Sequence, residues 1–329
     1  MNRNSVLFLS LSVALVVFFT IDMMVGSVDY SPAEVWQALW GEGERSTVKI
    51  VRNIRLIKAV VAMLAGAALS VSGLQMQTLF RNPLAGPYVL GITSGASLGV
   101  ALAVLGGPLL GIAGAQWFQT LGIAGAAWIG SALILAIIAA ISLRIKDIMV
   151  ILILGMMFSS GVGAIVQVLQ YLSHEDALKS FVIWTMGSLG EVTLTQLWML
   201  LPAVVVGLIL GVVAIKPLNL LLLGERYAVS MGLNITRSRA IIFLSTTLLA
   251  GTVTAFCGPI GFIGLALPHV ARALMRNADH RVLVPATTLV GGAVMLLCDI
   301  VSKLWVLPIN TITALIGIPI VIWVVIRNR

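Results

Sequence analysis

Apolar residues run along this chain in long blocks instead of alternating with polar ones. A block of about 20 apolar residues is what a helix needs to cross the hydrocarbon core of a bilayer. Such stretches lie at 5–25, 57–79, 89–106, 118–142, 147–172, 194–215, 240–256, 260–275, 283–304 and 310–326, which predicts ten spans. The stretches 89–106 and 260–275 are short and interrupted by glycine and proline, a pattern typical of broken helices that line something. The first stretch, LFLSLSVALVVFF, runs directly into IDMMVGSVDY without the small-residue cleavage site of a signal peptide, so it reads as a span.

Composition agrees with this pattern. Of 329 residues, 60% are apolar and 10% charged, and the mean hydropathy is +1.09, far above the range of a soluble domain. Ten spans with short connections use up the length, so no ATPase or catalytic domain is expected beside them. The expected fold class is an all-α integral membrane protein, a single transmembrane domain over 1–329. Cys257 and Cys298 sit inside apolar runs, with neither disulfide nor metal-site spacing.

Charge fixes an expected orientation. With both termini cytoplasmic, Arg3, Arg81, Arg144, Lys146, Lys216, Arg226, Arg237, Arg239, Arg272, Arg276, Arg281, Arg327 and Arg329 fall inside, and Arg45, Lys49, Arg52, Arg55, Lys58, Lys179 and Lys303 outside. Thirteen against seven satisfies the positive-inside rule. The net charge of +8 is this bias, spread over short loops without the aromatic-studded basic face of a nucleic-acid binder. Five of the external bases crowd into 45–58, directly before the second span. Such a cluster suits an acidic partner; the alternative is snorkelling to the lipid interface.

Three segments carry further information. RNPLAGPYVLGITSGASLG (81–99) cannot run as one straight helix, and Gly91, Gly95 and Gly99 form either a packing stripe or a solute-contacting face. In 216–239, Lys216-Pro217 ends a span, and leucines lead to Gly224 and a second short amphipathic piece closed by Gly232. This reads as two short helices bent at a glycine, forming an exposed knob for a soluble partner or else an interfacial helix. Asp299 within the ninth span needs a partner, and Lys303 stands one helical turn away. That pair is structural or, alternatively, proton-coupling.

Four motifs occur in order: GLQMQTLFRNPLAGPYVLGITSGASLG, LNLLLLGERYAVSMGLN, GPIGFIGLALPHVARALMRNADHRVLVP, and DIVSK followed by LPINTITALIGIPIVIWVV. Together they resemble the FecCD family of ABC importer permeases, which carry iron-siderophore chelates, haem or vitamin B12. The resemblance implies a type II importer permease in the bacterial inner membrane and a homodimer or pseudo-dimer of ten-helix subunits. Two cytoplasmic ATPase subunits would bind below, holding the ATP and magnesium, and a soluble substrate-binding protein would dock outside. The chain itself is then expected to hold no cofactor, metal or catalytic site.

The resemblance also implies residue roles. Arg55-Leu56-Ile57-Lys58 matches the family's Arg-Leu-Pro-Arg docking pair with proline and the second arginine replaced, and Lys303 matches a further docking position. Leu222, Leu223, Gly224, Glu225, Arg226, Tyr227 and Gly232 fall in the coupling element, with Glu225 and Arg226 at its polar rim. Trp184, Gly187, Ser188 and Leu189 match an external gating element within 173–193, near Gln167, Gln170 and Tyr171 of a mildly polar path. Arg81, Asn82, Pro83, Gly95, Pro268, His269, Arg272 and Asp299 are structural motif positions, with His269 a packing or capping residue. The chain departs from the family at Pro308-Ile309-Asn310, where asparagine tolerates a left-handed backbone well enough for a similar turn to survive. An ion-coupled secondary transporter and an intramembrane enzyme are the competing classes; the first needs a membrane acid such as Asp22 or Asp299 as coupling site, the second a convergent catalytic set.

Overall fold

The computed structural model describes residues 3–106, 116–145 and 147–327, with every regular element helical among them. Lys146 and Arg329 of the charge count lie outside the described residues. The helices are α1 (Arg3–Met24), α2 (Pro32–Trp40), α3 (Arg45–Leu79), α4 (Ile92–Gly106), α5 (Gln116–Arg144), α6 (Ile148–Leu172) and α7 (Glu175–Thr185). There follow α8 (Leu194–Val213), α9 (Ile215–Leu222), α10 (Glu225–Ser230), α11 (Ile235–Cys257), α12 (Ile263–Met275), α13 (His280–Trp305) and α14 (Ile309–Arg327).

Seven of these are long and apolar enough to cross a membrane, and α4, α12 and α14 are shorter apolar helices, which together match the ten expected spans. Helix α12 has 13 residues, roughly 20 Å of rise, and cannot cross a hydrocarbon core alone. The non-helical stretch Gly258–Phe262 precedes it, with positive φ at both ends. A 3-10 turn, Pro87–Leu90, similarly precedes α4. Both short spans thus begin on irregular backbone that protein must cover.

Helix α3 is the central element. It is continuous from Arg45, so the basic cluster expected in a connection before the second span lies on a helix. A π-helical segment, Val51–Arg55, interrupts its α-helical winding. Glycine permits its closest packing: a Cβ on Gly73 would overlap the Gly264 carbonyl oxygen of α12, and one on Gly66 would meet Met295 Cβ of α13 at 2.5 Å. Polar side chains fasten the same helix. Gln75 Nε2 donates to Ser245 Oγ at 2.9 Å, Thr246 Oγ1 donates back to Gln75 Oε1 at 2.9 Å, and Gln77 Nε2 donates to the Leu265 carbonyl at 2.9 Å.

The stripe Gly91–Gly95–Gly99 is a packing device. A Cβ on Gly95 would fall 2.5 Å from the Gly130 carbonyl oxygen of α5, and one on Gly99 would overlap the Ala126 carbonyl. By contrast, α1 and α6 present mostly exposed apolar faces, including Val13, Val16, Ile153 and Met157. Those are faces for lipid or another subunit.

Candidate docking, gating and coupling sites

At one end of α3 the basic residues are not a free set. Arg55, only 5% exposed, donates from Nη1 to the carbonyls of Met23 (2.9 Å) and Met24 (2.6 Å) and from Nη2 to the Val28 carbonyl. Its guanidinium also stacks 4.4 Å from the Tyr30 ring centroid. The π-helical segment ends at Arg55, and the side chain is buried against the α1–α2 connection. Lys58 Nζ pairs with Asp299 Oδ1 at 3.0 Å, and Lys303 Nζ pairs with Asp299 Oδ2 at 3.0 Å and Asp22 Oδ1 at 2.8 Å. The expected Asp299–Lys303 pair is therefore part of a four-membered cluster joining α1, α3 and α13. Two acids and two bases balance there, which keeps each charge compensated where water is scarce.

Arg55, Lys58 and Lys303 nevertheless line one cavity of about 270 Å³, together with Val25, Gly26 and Ser27. Earlier on the same helix, Arg45, Lys49 and Arg52 are exposed, with Arg52 Nη2 donating to the Leu39 carbonyl at 2.6 Å. Helix α2 frames this end with a capping box in which Ser31 and Glu34 exchange bonds. The Ser31 amide and hydroxyl hold the Glu34 carboxyl below its usual range.

The segment expected to form the gate touches this cluster. A Cβ on Gly190 would stand 3.6 Å from Lys58 Cε. Upstream, Gly187 (φ 73°) turns the chain so that the Ser188 amide donates to the Cys257 carbonyl at 2.8 Å, at the C-terminus of α11. Leu189 is buried in the central core, and Trp184 lies 6.1 Å from Phe181, ring to ring. Gly258 (φ 74°) has no room for a Cβ against the Trp184 carbonyl, which fits glycine on both sides of this contact. Gln167 and Tyr171 are exposed on α6, with Tyr171 at 89%, and Gln170 is half-buried. Ser159 and Ser160 donate to carbonyls of their own helix, Gly155 and Met156.

The third expected feature, the bent pair, is α9 and α10 joined at Gly224 (φ 104°, ψ 151°), with Gly232 at φ 83° closing it. The boundary differs from expectation: α8 ends at Val213, and Lys216 and Pro217 lie in the first turn of α9. Proline fits there because amides of a first helical turn have no intrahelical acceptor. Leu218 and Leu221 are buried, which pins α9 to the protein body, whereas Leu222, Leu223 (62%) and Tyr227 are exposed. Arg226 is also exposed. Glu225 is not a free rim residue, because Arg239 Nη2 stands 2.5 Å from its Oε1.

An anchor beneath this pair was not foreseen. Asn219 of α9 donates from Nδ2 to Asp279 Oδ1 at 2.7 Å and accepts the His280 amide at Oδ1 at 2.9 Å. Asp279 also caps α13, accepting the Arg281 amide at 2.8 Å. That amide bond, then the Asn219 contact, holds the Asp279 carboxyl below its usual range. The sequence signal was an asparagine on an otherwise leucine-rich helix, which has no apolar role. Helix α13 consequently carries the Asn219–Asp279 anchor at one end and the Asp299–Lys303 cluster at the other.

The motif residues behind this region close the α3–α4 connection. Arg81 takes a left-handed backbone (φ 48°), Asn82 Oδ1 accepts the Leu84 amide at 2.9 Å, and His269 Nε2 lies 2.7 Å from the Pro83 carbonyl. Arg272 Nη1 donates to Gln77 Oε1 at 2.5 Å, and Pro268 lies inside α12. Near the last helix the left-handed residue is Val306 (φ 52°), not Asn310. Asn310 lies in α14 and its Oδ1 accepts the Gly261 amide at 2.9 Å, supporting the irregular stretch before α12.

Comparison with known proteins matches this chain over most of its length. The chain is 35% identical to the hemin transport system permease protein HmuU of Yersinia pestis, covering 89% of this chain and 88% of that one. It is 35% identical to the vitamin B12 import system permease protein BtuC of Klebsiella pneumoniae, covering 97% and 93%. A solved structure described as an inward-facing conformation of a metal-chelate type ABC transporter superposes with a TM-score of 0.85 at 30% identity, covering 97% and 98%. The FecCD transport family model matches residues 14–327, and the chain is a member of that family.

Proposed function

We propose that this chain is the membrane-spanning permease subunit of an ABC importer, carrying an iron chelate such as a ferric siderophore or haem across a bacterial inner membrane. Vitamin B12 is the second reading, because BtuC is as similar in sequence as HmuU. Two copies form the translocation path between them, which would cover the exposed apolar face of α6. Both termini are cytoplasmic, on the charge count. ATP and magnesium are bound by two separate ATPase subunits, and a soluble binding protein delivers the cargo from outside.

The observation that carries this reading is the exposed pair α9–α10. Leu222, Leu223 and Tyr227 form an apolar tip across the bend of this pair, whose first helix, α9, is fixed to the protein body by Leu218, Leu221 and Asn219. A rigidly mounted apolar tip suits insertion into a cleft of an ATPase and transmission of its closure. The cavity at Arg55, Lys58 and Lys303 is the docking surface for an acidic side chain of the binding protein, and Trp184–Leu189 is the outer gate. The test is co-purification with the co-expressed ATPase. The wild-type chain retains it, and Leu223→Asp loses it while the permease still elutes as a single species. Equal retention by both proteins contradicts the assignment.

A further inference from the structure

The short helix α2, between the first two spans, divides into three faces. Val35 and Ala38 are buried against the protein body, with Leu39 half-buried beside them. One helical turn apart, Trp36 and Trp40 share one flank of this packed face, 63% and 69% exposed, with their rings edge to face at 6.0 Å between centroids. Glu34 and Gln37, both exposed, occupy the other flank. A helix with one packed, one aromatic and one polar side suits a membrane interface, where lipid lies on one hand and water on the other.

The chain fixes the level at which α2 sits. Arg52 of α3 donates from Nε (3.1 Å) and Nη2 (2.6 Å) to the Leu39 carbonyl in the last turn of α2, and Arg55 bonds the carbonyls of Met23, Met24 and Val28 ahead of it. Residues 59–79 of α3 carry no charge, which is about 31 Å of helix and the thickness of a hydrocarbon core. Lys58 therefore marks one boundary of that core, and Arg55 and Arg52 lie about 5 and 9 Å beyond it, at the depth of the headgroup layer.

Tryptophan is the residue preferred at this depth. Trp305, two residues past Lys303 of the charge cluster at the same boundary, is exposed as well. The exposed apolar face of α1, with Val13, Val16, Val17 and Ile21, runs up to the end that leads into the α2 segment, so a surface of lipid-facing type reaches this level. We propose that α2 is an interfacial helix whose Trp36–Trp40 flank inserts into the lipid headgroup layer. This surface does not depend on the assignment of the docking, gating or coupling residues.

The test uses the full-length protein in vesicles of phosphatidylcholine and phosphatidylglycerol, with part of the phosphatidylcholine brominated near the headgroup end of an acyl chain. Tryptophan fluorescence of the wild type is compared with that of the double variant Trp36→Phe, Trp40→Phe, in brominated and plain vesicles and with iodide in the water. The double variant loses roughly a quarter of the emission, two tryptophans of eight, and that share is quenched by brominated lipid and spared by iodide. A second measurement keeps both tryptophans and carries the test if the double variant does not fold. A nitroxide placed at Ala33→Cys, on the aromatic side, is reached by oxygen dissolved in lipid, and one at Gln37→Cys by a water-soluble nickel chelate; Cys257 and Cys298 are buried from the label. Iodide quenching of the lost share without quenching by brominated lipid overturns the proposal. So does a nitroxide at Ala33→Cys reached by nickel and not by oxygen, which would make the flank a surface for a soluble partner.

Discussion

Lys58 Nζ stands 3.0 Å from Asp299 Oδ1, so a base on the second long helix and an acid deep in α13 form one ion pair. Lys303 extends it to Asp22 of α1, tying three helices at one end of the bundle. Removing one member leaves a buried charge unpaired, at a cost of about 3–5 kcal/mol. Lys303→Met is therefore expected to lower the thermal midpoint of the purified protein, and Lys303→Met with Asp22→Asn to recover part of the loss. A double variant no more stable than Lys303→Met alone would mean that the pair is not coupled.

The same geometry separates basic residues held by their own chain from basic residues left exposed. Arg55 bonds three carbonyls of its own chain, whereas Arg45 and Lys49 are exposed. Arg45→Glu with Lys49→Glu is expected to weaken binding-protein association about tenfold at low salt, with the difference shrinking as salt rises. Arg55→Gln is expected to reduce stability first, through the lost carbonyl contacts. Surface plasmon resonance at two ionic strengths, beside a melting curve, distinguishes these effects.

At the opposite end, Gly224 has φ 104° and ψ 151°, which proline cannot adopt. Gly224→Pro is expected to misdirect α10 and break the Glu225–Arg239 pair, leaving ATP hydrolysis by the assembled transporter no longer matched to cargo movement. Hydrolysis and uptake measured on the same vesicles should change ratio by about tenfold or more, as expected when a mechanical contact is lost. An unchanged ratio would place coupling elsewhere.

Spans were legible in the sequence because each apolar block answers a single requirement, the thickness of the hydrocarbon core. The bent α9–α10 pair was legible for a related reason: Gly224 and Gly232 punctuate a short amphipathic run. What burial did to the charged residues was not legible. Arg55 and Lys58 are three apart on a helix, and nothing local says that one bonds the carbonyls of Met23 and Met24 while the other pairs with Asp299. Those partners lie far along the chain, and only the packing of α1 and α13 against α3 brings them in. Asn310 shows the same limit, since its side chain accepts the Gly261 amide instead of supporting a left-handed turn of its own.

Asp279 gives a pH prediction whose sign is fixed. Its folded pKa is depressed, first by the Arg281 amide and then by Asn219, so it stabilises the fold above the unfolded value of 3.8. That contribution is lost as pH falls through the lower folded pKa. Between pH 6 and pH 3, roughly the window of carboxylate titration, the melting midpoint of Asp279→Asn is expected to fall less than that of the wild type. Parallel curves would show that Asp279 does not contribute.

The most direct test of the permease assignment is uptake into proteoliposomes containing this chain and its ATPase, with candidate binding proteins supplied outside together with ferric siderophore, haem or cobalamin. The account predicts uptake that requires ATP on the ATPase side and the matching binding protein, and that is abolished by Leu223→Asp. Uptake driven by an imposed ion gradient without ATP would contradict it and would assign the Asp22–Lys303–Asp299–Lys58 cluster to ion coupling.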